Sequence, residues 1–236
     1  PSLGWRATFL IASAFSFALL LLVYFFLPES PGFVPEAKQN KTKIKELFTP
    51  EYKTSTLLLW VAIFFGFLTL YTLISWVPTL AKQSGMPFEL ATYVGMTLNF
   101  GAFTGVFVMG LAISKFGIKK TMTLFFIIAF VLMNFYGNVK LDYVMNLCLV
   151  FFIGFLVQGG FNSFYPAATR IYPAAIRSTG VGLAMGAGRF GAILGPTVFG
   201  LLTDNGMSVA GRFLIFSLPL LVAVFLLHRI KSKELS

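Results

Sequence analysis

GAFTGVFVMGL at residues 101–111 and GAILGPTVFGL at residues 191–201 stand 90 residues apart and share six of eleven positions. The shared residues are Gly101/Gly191, Ala102/Ala192, Gly105/Gly195, Val108/Val198, Gly110/Gly200 and Leu111/Leu201. Both copies are apolar and spaced by glycine. Their sequels differ: the basic SKFGIKK (residues 114–120) follows the first, and TDNG (residues 203–206) follows the second.

Around these copies the chain is apolar almost throughout. Of 236 residues 57% are hydrophobic and only 11% charged, against about 25% charged in a soluble domain. Seven long apolar runs lie at residues 7–27, 54–77, 90–113, 121–136, 143–165, 179–202 and 210–227, the fourth of them short. A run of about 20 apolar residues crosses the hydrocarbon core as a helix, which satisfies its own backbone without water. Barrel strands would instead be short and alternating. The reading is an all-α polytopic membrane protein with about seven transmembrane helices.

The net charge of +10 is explained by placement rather than by a nucleic-acid partner. If the runs alternate in direction, Lys38, Lys41, Lys43, Lys45, Lys53, Lys115, Lys119, Lys120, Arg170, Arg177, Arg229, Lys231 and Lys233 fall on one side. Arg6, Lys82, Lys140 and Arg212 fall on the other. This is the positive-inside bias, and it predicts a start outside, a cytoplasmic tail and a place in the cytoplasmic membrane. The first run lacks a charged flank of the signal-peptide kind. An odd number of helices from an outside start predicts that an N-terminal part precedes this chain.

The glycine-rich copies are the third and sixth runs, so three reversals separate them and they cross in opposite directions. Similar sequence in opposite direction is an inverted repeat of the secondary-transporter kind. The units are residues 54–138 and 142–229, three helices each. The basic cluster follows only the copy that ends in the cytoplasm. Gly101/Gly105, Gly182/Gly186 and Gly191/Gly195 are spaced by four, so each pair lies on one helix face and predicts close approach of a neighbouring helix.

Arg189 is placed about ten residues into the sixth run. An arginine at bilayer depth costs about 2.5–3.5 kcal/mol on insertion scales, which predicts a protein interior or a wet cavity around it. The eight acids, Glu29, Glu36, Glu46, Glu51, Glu89, Asp142, Asp204 and Glu234, all lie near run ends or in loops. The partner of Arg189 is therefore an anionic substrate or a carboxylate outside this chain, or else Arg189 is a structural arginine bonded to carbonyls or reaching toward the interface. Tyr71, Trp76, Asn99, Asn134, Gln158, Asn162 and Tyr165 add polar groups at membrane depth, with Gln158 and Asn162 one turn apart on one face. Such amides and phenols suit either a polar substrate or helix–helix hydrogen bonding. Pro196 and Pro219 are expected to bend their helices.

Other motifs carry less. Residues 186–191 fit G-x-G-x-x-G, but inside an apolar helix and without a suitably spaced acid, so no nucleotide site follows. Cys148 is the one cysteine, and His228 lies at a run end. No paired carboxylates, metal-ligand cluster or nucleophile–base set is present, so neither an enzyme nor a metal site nor a bound cofactor is expected.

Residues 110–120, GLAISKFGIKK, resemble the cytoplasmic loop signature of the major facilitator superfamily, with Gly110, Lys115, Gly117 and Lys119 on its pattern and Ser114 where aspartate is usual. LPESP at residues 27–31 resembles the end of that family's sixth helix. LYTLISWVPTL (residues 70–80) and YPAAIRSTGVGLAMGAGRFGAILGP (residues 172–196) resemble the seventh and eleventh helices of the aromatic acid:proton symporters within it. The resemblance implies helices six to twelve of a twelve-helix transporter. Residues 1–27 would be the sixth helix, 28–53 the central cytoplasmic loop, 54–229 the C-terminal six-helix half and 230–236 the tail. It implies uptake of a small, aromatic carboxylate with protons by alternating access, the proton gradient being the coupling agent and the proton-carrying acids lying in the preceding half. Arg189 would meet the substrate carboxylate, Tyr71, Asn99, Gln158 and Asn162 would line the site, and Gly110, Lys115, Gly117, Lys119 and Arg177 would serve gating. The alternatives are a sugar or other metabolite transporter of the same superfamily, a half-size chain that dimerises, and a seven-helix receptor.

Overall fold

A computed structural model describes residues 5–27, 44–139 and 142–230. Pro28 onward in LPESP, most of the central loop with Glu29, Glu36, Lys38, Lys41 and Lys43, Lys140, and the tail with Lys231, Lys233 and Glu234 lie outside the described residues. Among the described residues seven helices are long and apolar enough to cross a membrane, judged by length and composition.

Two compact units divide the chain, residues 1–41 and 42–236. In the first, helix α1 (Trp5–Phe26) has 22 residues, or about 33 Å at 1.5 Å per residue. The Ser13 and Ser16 hydroxyls donate back to the Phe9 and Ala12 carbonyls, which satisfies them within an apolar helix.

The second unit begins with a 3₁₀ turn at Ile44–Phe48, followed by α2 (Lys53–Gln83), α3 (Phe88–Phe116), α4 (Ile118–Asn138), α5 (Tyr143–Asn162), α6 (Phe164–Ile171), α7 (Ala174–Asp204) and α8 (Val209–Arg229). The run expected at 121–136 is a full helix of 21 residues. Lys119, Lys120 and Asn138 continue its backbone but not its hydropathy, so the apolar run is shorter than the helix. The same holds for α7, whose first turns include Arg177 and Ser178. The fifth span breaks at Ser163. Pro166 cannot donate to the Asn162 carbonyl and its ring crowds that group, and the Ser163 amide turns back to Gly160 instead. Helices α7 and α8 each run on through Pro196 and Pro219 as one element.

Helix α2 packs on α7, α3 packs on α5, and α4 packs on α8, with α8 also against α2 and α4 against α5. Each three-helix repeat thus lays its first helix on the second helix of the other. The repeated glycines make the two main seams. A methyl group on Gly101 or Gly105 would overlap the Phe151 or Phe155 carbonyl oxygen, and one on Gly191 or Gly195 would overlap that of Phe64 or Leu68. The register agrees on both sides: 90 residues relate the glycines, and 87 relate Phe64 to Phe151 and Leu68 to Phe155. This is the inverted repeat expected of the two copies, forming a six-helix half-bundle. Backbones this close gain dispersion and Cα–H···O contacts where lipid offers no hydrophobic drive for association.

Gly182 and Gly186 do not follow that pattern. Neither has a neighbour within 4 Å of where a Cβ would sit. They share the face of α7 that carries Arg189 and turn away from α2, so the expectation that they seat a helix is not met within this unit.

Polar pairs lock the remaining contacts. Asn134 donates to the Ser217 hydroxyl at 2.9 Å between α4 and α8, and Thr69 donates to the Phe216 carbonyl at 2.8 Å between α2 and α8. At one end of the bundle Leu47, fully buried, offers its carbonyl to Thr56 at 3.1 Å. The Tyr172 phenol donates to Thr56 at 3.1 Å, and Arg177 Nε donates to the Tyr172 carbonyl at 3.2 Å.

Candidate substrate-binding site

Arg189 stands 15 residues from each end of α7 and is exposed on its open face. A charge at mid-span cannot rest against lipid tails, so this face of the bundle is an interior or watered one. The neighbouring helix supplies its surroundings. Gly191 and Gly195 bring α7 hard against α2, and the guanidinium comes to lie 5.2 Å from the Phe67 ring centre and 5.8 Å from that of Tyr71. Nη1 donates to the Tyr71 hydroxyl at 2.8 Å. Phe67 is itself braced by Phe161 of α5 at 4.6 Å between centres.

Among the described residues Tyr71 is the one hydrogen-bond partner of Arg189, whose guanidinium has five N–H donors. A guanidinium laid on aromatic faces keeps its planar fork in one orientation, and its free edge matches a carboxylate in a two-point contact. The arrangement is suited to holding an anion at mid-membrane depth.

Asn99 and Gln158 meet in a separate cleft between α2, α3 and α5. It has a volume of about 20 Å³ and is walled by Leu70, Leu73, Ile74 and Leu98, with Gly154 at its floor. Asn99 Nδ2 donates to the Gly95 carbonyl at 2.9 Å. Asn162, one turn beyond Gln158, instead turns its Nδ2 to the Gln158 backbone carbonyl at 2.9 Å.

The repeat relates the two places. The 90-residue offset carries Asn99 onto Arg189, and the 87-residue offset carries Tyr71 onto Gln158. The same offset sets Phe67 against Gly154. The amide pair is therefore the internal counterpart of the Arg189–Tyr71 pair.

Other polar residues have structural partners. Trp76 Nε1 donates to the Pro196 carbonyl at 3.0 Å inside the α2–α7 seam, and Asn134 is spent on Ser217. Tyr165 lies exposed beyond the break at Ser163. Arg212 is 5% exposed, bonded to the Thr203 hydroxyl and 5.1 Å from the Phe199 ring centre. The residues expected to gate lie at the opposite end of the bundle from Arg212. Gly117 joins α3 to α4 with φ of 80°, a left-handed conformation natural to glycine. Lys119 Nζ donates to the Ile230 carbonyl at 2.7 Å, capping α8. Lys115 and Gly110 are exposed, and Arg177 holds the Tyr172 carbonyl.

Phe67 was hidden in the sequence among 29 phenylalanines. Its signal is the spacing of four before Tyr71, which puts both rings on one face of α2.

The model of the Major Facilitator Superfamily matches residues 1–196. The chain belongs to the major facilitator superfamily. That membership sets aside the seven-helix receptor. Among its relatives is the 3-(3-hydroxy-phenyl)propionate transporter of Escherichia coli, 33% identical over 98% of this chain and 58% of that protein. The 4-hydroxybenzoate transporter PcaK of Acinetobacter baylyi is 28% identical over 88% of this chain and 53% of its own length. The gallate transporter of Pseudomonas putida is 25% identical over 94% and 56%. The chain spans about half the length of the curated relatives it matches.

Proposed function

We propose that this chain is the C-terminal portion of a secondary transporter that moves a small aromatic carboxylate across the cytoplasmic membrane together with protons. In this reading residues 1–27 are the sixth of twelve helices and 28–53 the central loop. Residues 54–229 are the second half, with a short cytoplasmic tail after it. A preceding six-helix half supplies the opposite wall and the proton-carrying acids. No metal or organic cofactor takes part. The start of this chain lies outside and its end in the cytoplasm, in keeping with the basic residues gathered on one side.

One observation carries the reading: an arginine at the centre of a membrane helix, oriented by two aromatic rings, with its outer edge unpartnered among the described residues. The relatives named as transporters of 4-hydroxybenzoate, gallate and a hydroxyphenyl propionate support an aromatic acid as cargo. Alternating access then follows from rocking of the two halves, with Gly117 as a turn that tolerates movement, and Lys115, Lys119 and Arg177 making and breaking contacts at the cytoplasmic end.

The test is uptake of labelled 4-hydroxybenzoate by cells carrying the full transporter, with and without a protonophore, beside a neutral sugar. Acid uptake that collapses with the gradient and with Arg189→Gln is expected. Sugar uptake, or acid uptake indifferent to both treatments, refutes the reading.

A further inference from the structure

The two symmetry-related pairs differ in one respect that a ligand would feel. Arg189 and Tyr71 are joined directly. Asn99 and Gln158 share no hydrogen bond and both line a cleft of about 20 Å³, about the room one water-sized group needs. At the related level Phe67 packs its ring against Gly188 in the α2–α7 seam, whereas Gly154 of α5 closes on the Leu98 carbonyl of α3, and the cleft lies beside that contact.

Its chemistry is specific. Asn99 Nδ2 donates to the Gly95 carbonyl, and Oδ1 accepts from no described residue. The Gln158 side chain makes no hydrogen bond to any described residue, although its backbone carbonyl is used by Asn162. Both amides line a space too small for a ring and the right size for one polar atom. A hydroxyl, which both donates and accepts, satisfies the pair. The remaining walls are leucine, isoleucine, valine, alanine and glycine, so a charged group has no place there.

We infer that the Asn99–Gln158 cleft reads a hydroxyl group on the ring of the transported acid and so sets preference for hydroxylated over unsubstituted aromatic acids. This rests on the proposal that Arg189 binds the carboxylate. The ring would lie along Tyr71 and the α2 wall between the two anchors. The hydroxyl donates to Asn99 Oδ1 and accepts from Gln158 Nε2, completing on this side the contact that the Tyr71 phenol makes on the other.

The experiment compares KM for benzoate, 3-hydroxybenzoate and 4-hydroxybenzoate in the full transporter and in Gln158→Met, Asn99→Leu and Ala102→Val. The first two remove the polar partners. The third leaves both in place and fills the cleft. Asn99 is exposed, so its variant disturbs no packed core. In each variant KM for the preferred hydroxylated acid is expected to rise about five- to tenfold more than KM for benzoate, as loss of a hydrogen bond predicts. Equal changes for all three acids, or a starting transporter with no preference for a hydroxylated ring, overturn the inference while leaving Arg189 as the carboxylate site. Transport of none of these acids overturns both.

Discussion

The seam between α3 and α5 and the seam between α2 and α7 are built from the same parts, yet one holds a charge and the other a small hollow. Each closes on a pair of glycines against a pair of carbonyls. At the next level the large and small residues change places: Leu98 faces Gly154 in one seam, and Gly188 faces Phe67 in the other. With phenylalanine there, a cation has a platform. With glycine there, α5 closes on the Leu98 carbonyl, and the cleft lined by Asn99 and Gln158 lies beside that contact. The fold tolerates both because the glycine–carbonyl contacts fix the helices independently of what the open face carries.

That separation between scaffold and site can be broken from the scaffold side first. Gly101→Val and Gly191→Val should be the most damaging changes and about equally so, each costing about 3 kcal/mol or preventing folding, since backbone carbonyls cannot step aside. Thermal unfolding of the purified transporter in detergent checks it. A large difference between the two variants would mean that the seams are not equivalent.

Next in size is the charge. Arg189→Lys should weaken acid transport by at least tenfold in KM despite keeping the positive charge, because an ammonium cannot reproduce the stacked two-point fork. Wild-type behaviour in that variant would reduce Arg189 to a simple point charge. Phe67→Leu should have a smaller effect, about 0.5–1 kcal/mol in acid binding through the lost ring face. Read beside Gly154, it tests whether the platform matters. Smallest of all is Gly182→Ala. With no neighbour near the new methyl, the six-helix unit should melt unchanged or slightly higher, by up to about 1 kcal/mol, as the helix loses a flexible residue. A marked drop in stability would mean that another surface covers that face.

Much of this architecture was legible because membrane helices announce themselves by length and hydropathy. The repeat was legible because the shared glycines do the same packing job twice. Helix ends were harder: Lys119, Lys120, Arg177 and Asn138 are polar yet helical, and hydropathy cannot see a backbone. Arg189 stood out in the sequence because a central arginine is costly. Its platform did not, since nothing in a run of aromatics marks Phe67 as different from its neighbours. Gly182 and Gly186 show the converse: with no neighbour within this unit, a spacing of four puts two residues on one face without saying what lies opposite. The link between Asn99 and Arg189 was available by simple alignment of the two copies, one step upstream of the glycines. The link between Tyr71 and Gln158 needed the carbonyl contacts to set the second offset.

The short turn at Ile44–Phe48 works as a mooring. Its leucine is sunk into the bundle, and its carbonyl is tied through Thr56 to Tyr172, at the joint between α6 and α7. A tug on the chain at this point would be felt first at that joint, on the far side of the unit in sequence and adjacent to it in space.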